Sequence, residues 1–318
     1  MATAVTATAP GVAHASSASV KTDASGASSV QFASRNGETN ALYVQQDGET
    51  GVLVRDLGAP LTSGPGCSAA PVTCPLGIRQ TFLGKLGDTD DTAWAEVLLG
   101  DIELRGGAGD DNLLADTLNG AIQIDGGAGD DGISSSGHYP SSVNGGPGDD
   151  SISARSEGET TIEAGAGDDL VATRDGASRI DGGDGNDRIV GGVGAVFDTR
   201  AAEYNGGGGD DVIAFASRVV SLFTLNGGPG NDVIQGSAGN DTVTGAAGDD
   251  RIDVSAGGSD SVNCGGGNDT AWVDATDTVD RNCEHVITGP AGTAIPEVAA
   301  AVTAAASAGA HIPPPPPA

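Results

Sequence analysis

The chain has 318 residues, with 14 Lys and Arg against 44 Asp and Glu and a formal charge of −30; this excludes the basic surface that nucleic-acid binding needs and points to cations or to plain solubility. Glycine supplies 53 residues, well above the usual share of about 7%, and aromatics only 3%, which excludes a bulky globular core. Gly and Asp recur in strict register, as they do not in a disordered linker.

Residues 1–19 are rich in Ala, Thr and Ser, and Ala13-His14-Ala15 before Ser16 has the small-residue form of a signal-peptidase site, without a basic n-region ahead of it. We read a shortened secretory signal and expect an extracellular protein. No run approaches the ~20 apolar residues of a membrane-spanning helix. Residues 20–100 read as a small β domain capping the first coil of a repeat region. Alternation marks Val30-Gln31-Phe32, Leu42-Tyr43-Val44 and Val52-Leu53-Val54, with a hairpin turn expected at Asp47-Gly48. Ile78 to Leu83 and Ala93 to Leu99 are further strand candidates, and Gly87-Asp88-Thr89-Asp90-Asp91 is a worn copy of the later repeat.

Four cysteines, Cys67, Cys74, Cys264 and Cys283, fit an oxidising compartment. Three pairings are open to them. Proximity favours Cys67–Cys74 and Cys264–Cys283, and free thiols are the alternative.

Residues 101–271 carry the repeat. Over Asn226 to Ala271 a nine-residue pattern recurs: small–small–x–Gly–x–Asp–x–aliphatic–x, with sixth-position Asp232, Asp241, Asp250, Asp260 and Asp269. Upstream, every second copy is clear. GGxGDD-like turns end at Asp111, Asp131, Asp150, Asp169, Asp187, Asp211 and Asp232, spaced 20, 19, 19, 18, 24 and 21 residues apart. Aliphatics flank each turn at period 2, so each unit is strand, turn, strand, and helix is excluded. The fold expected is all-β: a parallel β-roll, or β-solenoid, of nonapeptide coils with inward aliphatic ladders. Its first edge carries Asp111, Asp131, Asp150, Asp169, Asp187, Asp211, Asp232, Asp250 and Asp269. Its second edge carries Asp241 and Asp260, with unrelated loops such as Ser134 to Ser142 and Gly191 to Glu203 on earlier coils. Residues 272–289 read as a C-terminal cap strand closed by a disulfide, and residues 290–318 as a disordered Ala/Pro-rich tail.

Such turns suit Ca²⁺. Glycine-only conformations turn carbonyls inward, the Asp adds a carboxylate, and two stacked turns reach the roughly six to eight oxygens that Ca²⁺ takes. Carboxylates stacked about 4.8 Å apart repel until cations stand between them. Binding then drives folding, and the metal-free chain is expected to be loose. Nine first-edge turns give up to eight gaps, fewer if the insertion near residue 200 breaks the register. The competing reading is an ion-free solenoid whose Asp side chains merely close turns.

The repeats resemble the hemolysin-type calcium-binding, or repeats-in-toxin (RTX), family over residues 104–271. That resemblance implies a parallel β-roll holding several Ca²⁺ ions. Its ligands would be the sixth-position aspartates together with carbonyls of second- and fourth-position glycines: Gly107 and Gly109, Gly127 and Gly129, Gly146 and Gly148, Gly165 and Gly167, Gly183 and Gly185, Gly207 and Gly209, Gly228 and Gly230. The Cys67 to Cys74 loop and the closing Cys283-Glu284-His285-Val286 also look similar to secreted calcium-binding repeat proteins of Gram-positive, actinobacterial type. Many RTX members leave the cell without a cleaved signal, whereas the cysteines and Ala-x-Ala here favour one.

No catalytic motif accompanies the repeats. H-E-x-x-H and G-x-S-x-G are absent. Glu284-His285 point to opposite faces of a strand, and the Asp-Asp pairs recur at every turn, unlike a glycosidase pair. The function expected is a secreted, non-enzymatic calcium-binding rod. The alternatives are a cell-surface adhesin or scaffold, and an accessory region of a polysaccharide-active enzyme.

Overall fold

The structure, a computed structural model, describes residues 16–22, 28–47, 51–58, 60–69, 71–75, 80–174, 178–192, 201–216, 222–289 and 295–308. The strands form two 14-stranded sheets, and from Gln80 onward successive strands alternate between them. From Gln80 onward every described pairing is parallel. The result is a two-sheeted β-solenoid, as the periodicity predicts. Register follows the aliphatic pattern: Leu104, Ile124, Val143 and Ile162 stack in one sheet, and Leu113, Ile133, Ile152 and Val171 in the other. These side chains are at most 2% exposed. Each contributes about 1.5–3 kcal/mol by leaving water, and together they replace the globular core that the composition denies.

The cap is continuous with the rod. Ser16–Thr22 pairs antiparallel with Ser28–Ala33, and Ala41–Asp47 with Gly51–Asp56, which in turn pairs with Val72–Pro75. The hairpin expected around Asp47-Gly48 is therefore formed, although residues 48–50 lie outside the described residues, as does Ala13-His14-Ala15. Gln80–Gly87 and Thr92–Glu96 stack in parallel on both cap and rod. Parallel coiling thus begins near residue 80, not at 101. Ser134–Gly137 belongs to a strand instead of a second-edge loop.

The long coil does not break the register. Ile180 still faces Tyr204, and Ile189 faces Ile213, so both sheets keep their pairing across the longest spacing. Here Tyr204, Phe215 and Phe223 fill the interior, with centroids 4.4 to 5.7 Å apart.

The expectation of a disordered tail fails at Pro296–Ala308, which is an α-helix. Ala-rich sequence favours helix, and proline is tolerated in the first turn, where its missing N–H is no loss. Val298, Ala301 and Ala305 are buried against outward-facing Ala172, Val190, Ala214 and Val233 of the second sheet. Arg251 clamps Glu297 at 3.0 Å. The five prolines, Pro313 to Pro317, lie outside the described residues.

Both proximity-favoured disulfides are present: Cys67–Cys74 and Cys264–Cys283. The second joins the last full coil to the strand His285–Thr288. It closes a loop of 19 residues, for which chain-entropy arguments give about 3 kcal/mol. Reduction should therefore fray the C-terminal coils first, seen as early proteolytic cuts between residues 264 and 289.

Candidate metal centre

Backbone conformation at the turns explains the glycines. Gly127 has φ +119° and Gly129 φ +134°, a region that side chains disfavour. A Cβ on Gly127 would strike the carbonyl oxygen of Gly107, and one on Gly129 that of Gly109. Equivalent peptides therefore stack face to face, with the carbonyl of one coil in the space that the next glycine leaves. A Cβ on the first-position Gly106 would run into Oδ2 of Asp111, so that position also keeps clear space beside the carboxylate. Ala246 is the one described non-glycine residue at positive φ, +89°, and its coil carries that strain.

The predicted first-edge aspartates converge into one buried column. Each Oδ1 accepts the backbone N–H of the equivalent residue one coil earlier. The chain of bonds runs from Asn40 to Asp91, Asp111, Asp131, Asp150, Asp169, Asp187, Asp211, Asp232, Asp250 and Asp269, at 2.6–2.9 Å. Glu284 closes it by accepting from Asp269 at 3.0 Å. Asp91 is a member that the sequence pattern missed, because Leu86 and Thr89 stand where the turn otherwise has glycine; the worn GDTDD was the available signal.

The fifth-position residues form a second ladder with opposite polarity. There the N–H of a later coil donates to the side chain of the earlier one: Asp110 to Asp90, Asp130 to Asp110, Asp149 to Asp130. These side chains are exposed, and Asn186 and Asn231 serve as well as Asp, their Oδ1 atoms accepting from Asp210 and Asp249 N–H at 2.9 Å. Asn never replaces Asp in the buried column from Asp91 to Asp269. That contrast separates the two: the outer ladder needs an acceptor, the inner one a charge.

The inner carboxylates are half provided for. Their Oδ1 atoms are bonded, while Oδ2 of Asp91, Asp111, Asp131, Asp150, Asp169, Asp187, Asp211, Asp232, Asp250 and Asp269 is buried without a protein partner. An unsatisfied buried polar atom costs about 1–3 kcal/mol, and more when charged. Burial accordingly pushes Asp211 up to about 8, Asp111, Asp150, Asp169 and Asp232 to about 7, and Asp131, Asp187 and Asp250 to about 6. The neighbouring amide opposes the shift, and nearby carboxylates, such as Asp131 beside Asp111, add to it.

On the second edge Asp241 N–H donates to Asp260 at 2.7 Å, and Asp260 N–H to Asp277 at 3.0 Å. Asp277 extends the expected pair. Oδ2 of Asp260 is again unpartnered, whereas Oδ2 of Asp241 accepts from Ser237 N–H at 2.7 Å. Asp260 is raised to about 7, by burial first.

This donor set fits a hard divalent cation. Orphaned carboxylate oxygens sit in line beside closely stacked peptide carbonyls, all of them oxygen ligands of the type that Ca²⁺ takes. Among the described residues no three His, Cys, Asp or Glu side chains cluster as a ready-made site. Backbone carbonyls must therefore complete each shell.

Residues 161–197 and 226–258 match the model of the RTX calcium-binding nonapeptide repeat, in four copies. The chain carries these repeats, and calcium is the ion that the repeat family implies. The matched stretches contain Asp169, Asp187, Asp232, Asp241 and Asp250. The geometry extends the same turn in both directions, from Asp91 to Asp269. No curated protein and no solved structure matches the chain.

Proposed function

We propose that this chain, with RTX calcium-binding repeats along one edge of a β-solenoid, is a secreted structural rod that folds on calcium and has no catalysis of its own. One observation carries the reading: a buried file of carboxylates in which each member has one bonded and one orphaned oxygen. Asp111, Asp131, Asp150, Asp169, Asp187, Asp211, Asp232, Asp250 and Asp269 would hold the ions, joined by Asp91 and by carbonyls of the second- and fourth-position glycines. Asp241 and Asp260 would serve the second edge. Calcium supplies charge neutralisation and cross-linking between coils. The chain supplies spacing, preset carbonyls and exclusion of water.

Two disulfides support an oxidising destination. Outside the cell, calcium reaches the 10⁻⁴–10⁻³ M range at which extracellular modules bind. The absence of H-E-x-x-H and G-x-S-x-G from the sequence supports a non-enzymatic role. Calorimetric titration with CaCl₂ near neutral pH, repeated in buffers of different ionisation enthalpy, should show several ions per chain and net proton release, because ions displace protons from the raised carboxylates. No binding at millimolar calcium would end this reading.

A further inference from the structure

The outward face of the second sheet changes character along the rod. Pairing fixes one outward row as Tyr43, Trp94, Leu114, Ser134, Ser153 and Ala172. Two residues further along each strand, the next row runs Glu96, Asp116, Ser136 and Arg155. Arg174 comes one coil later, its N–H bonded to the Ala154 carbonyl at 3.1 Å. The rows thus pass from an aromatic and acidic end, through short hydroxyl side chains, to two guanidinium groups.

Short residues between taller ones leave a trough. A cavity of about 250 Å³ is walled by Trp94 and Leu114 on one side and by Arg155 and Arg174 on the other, with Asp116 and Ser136 between them. A second hollow of about 460 Å³ shares Ser134 with it and ends against Ala304, Ser307 and Ala308 of the helix. Strands about 4.8 Å apart put Trp94 and Arg174 about 19 Å apart along the axis. That length suits an extended ligand of several rings.

The chemistry of the lining identifies the ligand. An aromatic face offers a platform for apolar C–H surfaces. Serine hydroxyls and a carboxylate pair with hydroxyls as both donors and acceptors. Guanidinium groups take carboxylates in fork geometry. Arg155 lies within electrostatic reach of Asp116, but neither arginine closes an ion pair among the described residues. In a chain with 14 basic against 44 acidic residues, two neighbouring arginines in a hollow, without an ion pair among the described residues, stand out. We propose that this trough binds an acidic oligosaccharide laid along the rod axis, one ring against Trp94 and a sugar carboxylate on Arg155 and Arg174.

The test uses the full chain in calcium. A hyaluronan hexasaccharide, which carries glucuronate, is titrated against protein while tryptophan fluorescence and heat are monitored, with cellohexaose as the neutral counterpart. The acidic sugar should bind and perturb the fluorescence. Arg174→Ala should weaken it about tenfold or more, the scale of one charge-assisted hydrogen bond. Ser134→Phe, which fills the trough from an outward position, should do the same should Trp94→Ala fold poorly. Equal binding of the neutral sugar, no binding of either, or unchanged affinity in Arg174→Ala would each overturn the proposal. Circular dichroism on the same samples reports the calcium-held fold separately, so failure here leaves the calcium reading intact.

Discussion

Chelation with EDTA near pH 8 should abolish most of the β circular-dichroism signal, and added calcium should restore it. Simple arithmetic sets the size of the effect. A ligand at a hundred times its dissociation constant adds about 2.7 kcal/mol, and net stabilities are typically about 5–15 kcal/mol. A handful of ions therefore exceeds the whole margin. The metal-free rod also has an unusual pH dependence. Its carboxyls are raised above their unfolded value of 3.8, to about 6–8. Stability from such groups is fully present below about 4 and is lost as pH rises through 6–8. Acidification in EDTA should hence recover structure, while acidification in calcium should weaken ion binding. A folded spectrum in EDTA at pH 8 would refute coupling of fold to metal.

Asp169→Asn should have opposite effects with and without calcium. The amide oxygen can still accept from Asp150 N–H, as Oδ1 does at 2.7 Å, and its own N–H can still donate to Asp187 at 2.9 Å. What disappears is a buried charge raised to about 7. Without metal the variant should melt higher than the parent at pH 8. With calcium it should melt lower, and affinity at the adjoining coils should fall by about tenfold or more, since ligand charge sets calcium affinity. Asp168→Asn is the control. It sits one residue away on the exposed ladder, where Asn186 already fills the equivalent role. Little change is expected there. Equal responses from the two variants would show that charge in the buried file is not what matters.

Much of this architecture was legible because a solenoid writes its register into the sequence. Every Asp spacing along the first edge from 111 to 269 mapped onto one hydrogen-bonded column, and proximity gave both disulfides. Three features were hidden for separate reasons. Asp91 was obscured because its turn keeps the geometry while losing glycines. The 24-residue step from Asp187 to Asp211 looked like a break, yet Asp187 N–H still reaches Asp211 Oδ1 at 2.8 Å. The helix read as part of a disordered Ala/Pro-rich tail by composition. Its signal lay far away, in Ala172, Val190, Ala214 and Val233: outward positions that turn apolar only where something covers them.

That helix has a mechanical consequence. In a solenoid each coil touches only its neighbours, so coils can melt one at a time. A helix of 13 residues spans about 20 Å, close to four strand spacings, and it contacts strands from Ser151–Ser156 to Val233–Gln235. It therefore works as a splint: the central coils must come apart together, while coils beyond its reach can unravel piecemeal, those at the C-terminal end once Cys264–Cys283 is reduced.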